Sequence, residues 1–219
     1  MSLQLFGHPF SSYTWKALIP LYENETPFTF RMIDGDHPEN GAELARLSPM
    51  GKFPLLIDGE TSVFEATSVI EYLDAFHPGP VRLIPPDPVA AVTTRMLDRV
   101  FDNYVMNAMQ VAVSDALRPP GNSDSYGMAQ AQAGIDRIYA WLDTELAGRE
   151  WAIGADFTMA DCAAAPSLFY ADWASPIPER FATLKAYRLR LLARPSVARA
   201  VDEARPYRAY FPLGAPDRD

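Results

Sequence analysis

The chain has 219 residues, of which 48% are hydrophobic and 21% are charged, the composition of a globular protein with one or two domains. Its 28 acidic and 19 basic residues give a net charge of −9, which argues against general binding to nucleic acids or anionic membranes. The single cysteine, Cys162, excludes an intrachain disulfide, a Cys-x-x-Cys redox pair and a cysteine-rich zinc site.

The chain also lacks sequence signals for a membrane or for export. Its apolar runs fall short of the roughly 18 residues that a membrane span needs. Residues 1–10 do not show the basic segment followed by an apolar one that a secretory signal requires. We therefore expect a cytoplasmic protein with neither a membrane nor a nucleic acid among its partners.

Charge and proline content divide the chain into two parts. Residues 1–80 hold 11 acidic and 4 basic residues, a net charge of −7, whereas the rest of the chain holds 17 and 15, a net charge of −2. Five of the 20 prolines lie within 77–88, where they prevent a continuous helix or a central strand. We expect one domain over 1–80, a proline-rich linker over 81–88 and a second domain over 89–219.

The first part begins with a strand, a helix and a second strand. Alternation of leucine with a polar residue over 3–5 predicts a short strand. Ser11 and Ser12 are acceptable caps for the helical pattern that follows, in which Pro20 should cause a kink or an early end. Alternation of apolar and polar residues over 28–32 predicts the second strand.

The remaining elements of the first part are a helix, a hairpin and a helix. The pattern over 38–49 predicts a short helix that ends at a proline. The apolar run that begins at Pro54 joins 61–64 through Asp58-Gly59, a strong signal for a two-residue hairpin turn. Apolar residues at helical spacing then predict a helix over 66–76. The order β-α-β-α-β-β-α indicates an α/β domain.

The second part shows helical spacing throughout. Two apolar faces are predicted, one from Leu97, Phe101, Tyr104, Ala108 and Val111 and one from Ala131, Ile135, Ile138, Leu142 and Leu146. Thr158 and Asp161 form a capping-box variant at the start of a further helix. One or two helices should follow over 179–204, and the proline- and aromatic-rich residues 205–219 should pack as an extended strap. We expect an all-α second domain.

Candidate chemistry is concentrated in the first part. The three histidines lack the spacing of metal ligands, so no metal site is expected. Ser11, Ser12 and Tyr13 place hydroxyls at a helix start, where the helix dipole favours a bound thiolate over a thiol. Plain helix capping by the serines is the alternative interpretation. No catalytic role is expected for Asp161, which fits a buried helix start.

Two further segments could bind a peptide-like ligand. The proline of Met50-Gly-Lys-Phe-Pro54 stands at a strand start, where a cis bond would expose the preceding backbone for pairing with a ligand. The segment Phe64-Glu-Ala-Thr-Ser68 opens a helix whose free N–H groups could hold a carboxylate, while Glu65 could meet an ammonium group. A simple turn and a self-satisfied helix start are the alternatives.

These features, in this order, resemble the glutathione transferase family over essentially the whole chain. The similarity rests on Ser-Pro-Met-Gly-Lys-Phe-Pro, on Phe-Glu-Ala-Thr-Ser-Val-Ile-Glu-Tyr-Leu and on Phe-Thr-Met-Ala-Asp. The stretch Ser11-Ser-Tyr-Thr-Trp-Lys16 is similar to the Ser-Ser-Cys-Ser-Trp-Arg of zeta-class members, with Tyr13 in place of cysteine. The resemblance, nearest to bacterial-type members, implies an α/β thioredoxin-like N-terminal domain, an all-α helical C-terminal domain and a homodimer.

The resemblance also implies glutathione as co-substrate and a role for particular residues. Ser11 is the first choice to steady the glutathione thiolate, with Ser12 and Tyr13 as neighbours. The backbone of Phe53, ahead of a presumed cis-Pro54, should pair with the cysteinyl unit.

The two ends of glutathione need further groups. Glu65 and the N–H groups of Ala66 and Thr67 should hold the γ-glutamyl end, and Lys52 is better placed than His37 for the glycyl carboxylate. The family usually has serine where this chain has Ala66. The loss of that hydrogen bond to a charged group costs about 1.5–3 kcal/mol unless another group, such as Thr67, replaces it.

The electrophile should bind between the domains. Tyr13, Tyr104, Met106 and Met109 are candidates for an apolar wall there, although core packing is the more frequent role of such residues. The function that the resemblance implies is conjugation of glutathione to small hydrophobic electrophiles. The alternatives are a glutathione-dependent cis–trans isomerase of zeta type and a non-catalytic binding or regulatory protein of the same fold.

Overall fold

The computed structural model describes residues 3–219, and its N-terminal part is a four-stranded sheet with three helices. The elements are Leu3–Gly7 (β1), Ser12–Glu23 (α1), Phe28–Met32 (β2), Pro38–Leu47 (α2), Leu55–Asp58 (β3), Thr61–Phe64 (β4) and Ala66–Phe76 (α3). The sheet order is β2-β1-β3-β4, with β1 parallel to β2 and both β1–β3 and β3–β4 antiparallel. This confirms the thioredoxin-like α/β prediction.

The C-terminal part is helical, as predicted. Its elements are Pro88–Val100 (α4), a π-helical turn Phe101–Met106, Asn107–Ala116 (α5), Ser125–Glu145 (α6), Met159–Ala174 (α7), Ala182–Ala193 (α8), Pro195–Ala204 (α9) and a 3₁₀ turn Arg205–Tyr210. Within residues 3–219, no helix combines the length and the apolarity that crossing a membrane requires.

Helix α1 joins the two parts because it is apolar on two faces. Ala17, Leu18 and Leu21 are buried against the sheet and α3, whereas Trp15 and Ile19 belong to the core that is centred on α7. A helix that is buried all round must lie between two layers. Its first residues are therefore held rigidly at the boundary between the sheet and the helical part.

Two local predictions in the N-terminal part need correction. Of the two effects predicted for Pro20, a kink or an early end, the early end does not occur, because α1 continues to Glu23. The hairpin turn consists of Gly59 and Glu60, because Asp58 still pairs with Thr61. Gly59 has φ 60, a left-handed conformation that glycine adopts without steric cost.

The predicted apolar face of 97–111 is also wrong beyond Phe101. A π-helical turn has a wider i→i+5 repeat, so it shifts every later side chain by about one position. Val105 and Met109 are buried in the core, whereas Tyr104 is 59% exposed and Val111 is 38% exposed. The core therefore follows the π turn rather than the α-helical spacing.

Residues 205–219 pack onto the helical part as predicted, but as a 3₁₀ turn and a loop rather than an extended strap. The 3₁₀ turn precedes a loop that folds back, and the Asp219 side chain pairs with Arg205 and Arg208. Phe211 is buried against Tyr170 and Trp173 of α7. Phe211, near the end of the described chain, is thus packed onto the C-terminal half of α7.

Candidate functional site

Two cavities meet at the start of α1. The polar cavity, of about 250 Å³, is lined by Tyr13, Ser48, Met50, Lys52, Phe53, Pro54, Phe64, Glu65, Ala66, Arg99, Asp102 and Asn103. The apolar cavity, of about 240 Å³, is lined by Phe10, Ser11, Ser12, Tyr13, Met109, Gln110, Val113, Tyr170, Tyr210, Phe211 and Pro212. Tyr13 lines both cavities, so a ligand in one lies next to a ligand in the other.

The junction of β1 and α1 carries three hydroxyls. Ser11 is the N-cap of α1, and its Oγ accepts a hydrogen bond of 3.3 Å from the Thr14 N–H. This bond uses an oxygen lone pair and leaves the Ser11 O–H free to donate. Burial, assisted by the negative charge of Asp102, raises the pKa of Tyr13 to about 12. The Tyr13 hydroxyl therefore stays protonated at neutral pH and can only stabilise an anion as a donor.

The start of β3 presents backbone to the polar cavity. The Phe53–Pro54 peptide bond is cis, as the resemblance to glutathione transferases implies. Phe53, Pro54 and Lys52 all line the cavity. Among the strand pairings of the described chain, β3 begins at Leu55, so the backbone of Phe53 lies outside the ladder. An extended peptide can pair with backbone in that position.

The start of α3 forms the opposite side of the polar cavity. Glu65 precedes the helix with φ 70 and ψ 117, a left-handed conformation that costs a non-glycine residue about 1–3 kcal/mol. Within residues 3–219, no side chain caps this helix. The N–H groups of Ala66 and Thr67 therefore keep their capacity to bind an anion, and the helix dipole favours one there.

A buried ion cluster lies next to the polar cavity and contributes Arg99 and Asp102 to its lining. Lys16 of α1, with a side chain that is 1% exposed, lies 2.6 Å from carboxylate oxygens of both Asp98 and Asp102. Arg99 pairs with the same two carboxylates from the cavity side. Burial raises the pKa of Asp102, and the attraction of Lys16 opposes that shift. Two cations thus balance two carboxylates across the boundary between the sheet and the helices.

Several residues proposed from the sequence lie elsewhere. His37 is outside both cavity linings, and its hydrogen bond with Asp34 raises its pKa. The Thr67 hydroxyl is already occupied, since it donates to Asp98 and accepts from Lys16.

The four residues proposed for the apolar wall do not lie together. Met109 and Tyr13 line the apolar cavity, whereas Met106 is buried in the core and Tyr104 lines a separate groove on the helical part. Phe10, Tyr170 and residues 210–212 line the cavity without having been identified from the sequence. The aromatic content of the last residues was the available signal. Arg99, Asp102 and Asn103 carried no local signal at all.

The lone cysteine is inert in this arrangement. Cys162 lies fully buried within α7, and burial raises its pKa well above the usual value. A thiolate at this position is disfavoured, and no ligand can approach it. Its role is therefore structural.

Two family models match the chain. Residues 5–81 match "Glutathione S-transferase, N-terminal domain", and residues 125–203 match "Glutathione S-transferase, C-terminal domain". A probable maleylacetoacetate isomerase of Vibrio cholerae is 27% identical, and the alignment covers 94% of this chain and 98% of that protein.

Solved structures are similar over the same length. A glutathione S-transferase of Methylobacillus flagellatus with GSH bound has a TM-score of 0.81 at 25% identity, covering 91% of this chain and 98% of that one. A glutathione S-transferase of Methylobacterium radiotolerans in complex with glutathione sulfonate has a TM-score of 0.79 at 26% identity, covering 92% and 95%.

Proposed function

The chain belongs to the glutathione transferase family, and on that premise we propose that it binds glutathione in the polar cavity and conjugates it to an electrophile in the apolar cavity. The observation that carries this proposal is the contact of the two cavities at Tyr13, directly at the N-terminus of α1. A thiol placed there lies next to free hydroxyls, to the N-terminus of α1 and to the apolar cavity proposed for the electrophile.

We propose that glutathione spans the polar cavity from Lys52 to α3. Its cysteinyl unit pairs with the backbone of Phe53, outside the β-ladder. The γ-glutamyl carboxylate lies on the N–H groups at the start of α3, while the carboxylate of Glu65 receives the ammonium group. Lys52 is the cation for the glycyl carboxylate, since His37 does not line the cavity.

The chemical role of the site is to ionise the thiol. A free thiol with a pKa of about 8.5 is only a few per cent ionised at pH 7. A hydrogen bond from Ser11, together with the N-terminus of α1, favours the thiolate by about one or two pKa units. The thiolate then attacks an electrophilic carbon, and the leaving group departs with the electron pair of the broken bond. For an activated double bond, the thiolate adds and the adjacent carbon takes up a proton.

The lining of the apolar cavity favours an uncharged aromatic electrophile. Phe10, Tyr170 and Phe211 offer ring faces and edges, and none of the lining residues carries a charge. A carboxylate would lose its hydration there without gaining a cationic partner. This composition favours conjugation over the isomerisation of an acetoacetate. The isomerase alternative is supported by the name of the Vibrio cholerae relative, so both activities need to be measured.

Titration and activity assays test the proposed function directly. Glutathione should bind the purified protein in a calorimeter with a dissociation constant in the millimolar range or below. The complex should conjugate 1-chloro-2,4-dinitrobenzene and release chloride. Absence of binding at millimolar glutathione would contradict both enzyme functions and favour a non-catalytic binding protein. Turnover of maleylacetoacetate without consumption of glutathione, and no conjugation, would favour the isomerase.

We further propose that the chain forms a homodimer through the separate groove on its helical part. This groove, of about 610 Å³, lies between the π turn with α5 and the facing helix α6, and it exposes Tyr104, Val111 and Trp141. Apolar side chains in an open groove of this size favour burial against a second surface. A second copy of the chain is the occupant expected for this family.

Sedimentation equilibrium of the Trp141→Glu variant tests the dimer. A charge in the lining of the groove should shift the protein from dimer to monomer at micromolar concentration. Leu189→Glu, on the exposed side of α8, is the matched control and should leave the mass unchanged. A monomeric wild-type protein, or an unchanged mass for Trp141→Glu, would contradict this proposal.

A further inference from the structure

We infer that Arg99 is the cation that binds the γ-glutamyl carboxylate of glutathione in this chain, in the place of the serine hydroxyl that Ala66 lacks. This inference rests on the proposed function, because it assigns one more residue to the glutathione site. Arg99 belongs to α4 of the helical part, whereas the other groups proposed for glutathione belong to the N-terminal part.

The position of the guanidinium group is the first argument. Nη2 of Arg99 hydrogen-bonds to the hydroxyl of Thr67, the second residue of α3. Arg99 also lines the polar cavity together with Glu65 and Ala66. A carboxylate that accepts hydrogen bonds from the N–H groups of Ala66 and Thr67 therefore lies within reach of this guanidinium group.

The remaining donors of Arg99 are the second argument. Its hydrogen bonds within residues 3–219 use Nε toward Asp98, and Nη2 toward Asp98, Asp102 and Thr67. Nη1 makes no hydrogen bond within this part of the chain, so its two N–H groups can donate to a ligand. A guanidinium group binds a carboxylate through parallel N–H donors, which makes such a contact both strong and directional.

The third argument is that the two cations of the ion cluster differ in exposure. Lys16 is the buried cation, with 1% of its side chain exposed, and it contacts both Asp98 and Asp102. Arg99 is the cavity-facing cation, with 48% of its side chain exposed. A cation that only neutralised the two carboxylates would not need to face the cavity. The two carboxylates instead hold Arg99 in one orientation, so that little side-chain entropy is lost when a ligand binds.

Paired ligands separate this role from a structural one. The probes are glutathione and 4-aminobutanoyl-cysteinyl-glycine, the same tripeptide without the α-carboxylate, each titrated by calorimetry. Arg99→Met should weaken glutathione binding about 10- to 100-fold, as for a lost charge-assisted hydrogen bond, and should change binding of the second ligand less than about threefold. Arg95→Met, one turn earlier on α4, should change neither affinity.

Each alternative result has one interpretation. Equal weakening of both ligands, or no weakening of either, would overturn the role of Arg99. Arg99→Lys keeps the charge for Asp98 and Asp102 without the fork geometry, so it should fold like the wild type and still weaken glutathione selectively. In the Arg99→Met background, Ala66→Ser should restore part of the lost affinity. Wild-type protein that binds no glutathione would instead contradict the proposed function itself.

Discussion

Replacing Asp161 with alanine should lower the free energy of unfolding by about 3–5 kcal/mol, the largest stability effect expected from a single residue outside the cavities. The carboxylate is buried at the start of α7 and accepts four hydrogen bonds. Its donors are the Ala152 N–H at 2.8 Å, the Thr158 N–H at 2.8 Å and O–H at 3.0 Å, and the Tyr187 O–H at 2.7 Å.

The size of this effect follows from what the substitution leaves behind. Alanine removes all four acceptors, and each buried donor without a partner costs about 1–3 kcal/mol. Relief from burying a carboxylate offsets part of that sum. The loss is also propagated, because Asp161 connects α7 to the loop at Ala152 and to Tyr187 of α8.

Urea denaturation measures the change, with an exposed cap as control. Asp87 caps α4 by accepting a single hydrogen bond of 2.8 Å from the Ala90 N–H, so Asp87→Ala should cost only about 1 kcal/mol. If Asp161→Ala costs no more than Asp87→Ala, then the four hydrogen bonds only compensate the burial of the carboxylate. That result would remove Asp161 from the residues that stabilise the helical core.

If glutathione binds as proposed, replacing Ser11 with alanine should reduce conjugation at pH 7 by about 10- to 100-fold, because the thiolate would lose its proposed donor and its pKa would rise by about one or two units. The activity lost in this way should return as pH rises. Above the pKa of the thiol in the variant, glutathione is ionised without assistance. The pH–rate profile of the variant should therefore lie parallel to that of the wild type, displaced toward higher pH.

The neighbouring hydroxyls provide the controls for this profile. Ser12→Ala and Tyr13→Phe should leave the apparent pKa of the bound thiol within about 0.3 units, a free-energy difference of roughly 0.4 kcal/mol. Ser11→Ala should also cost about 1 kcal/mol of stability, because Ser11 caps α1 through the Thr14 N–H. A displaced profile for Tyr13→Phe, and none for Ser11→Ala, would transfer the role of donor to Tyr13.

Elements with local signals were predictable from the sequence. Alternating residues predicted β1 and β2, and the helix over 66–76 has the bounds of α3. Such signals can be read locally, because a strand or a helix with one buried face needs apolar residues at a fixed spacing along the chain. The π turn at Phe101–Met106 interrupts the α-helical period, so the apolar face predicted beyond Phe101 is wrong.

The residues of the candidate site also differ in whether a local sequence signal identified them. Lys52, Phe53 and Glu65 lie in short motifs, and the structure places all three around one cavity. Arg99 lies far from those motifs in the chain, and its place at the start of α3 depends on the packing of α4 against the N-terminal part. No pattern around Arg99 in the sequence could show which cavity it would face.

The sequence by itself determined the α/β character of the first part, the all-α character of the second part and their order along the chain. These follow from interactions between residues that are close along the chain, or from the chemistry of a residue type. Only the tertiary structure decided that Tyr13 lies between two cavities, that residues 210–212 close one of them and that Arg99 enters the other. Those positions depend on how α1, α4 and α7 pack, and packing is set by contacts between residues that are distant in the sequence.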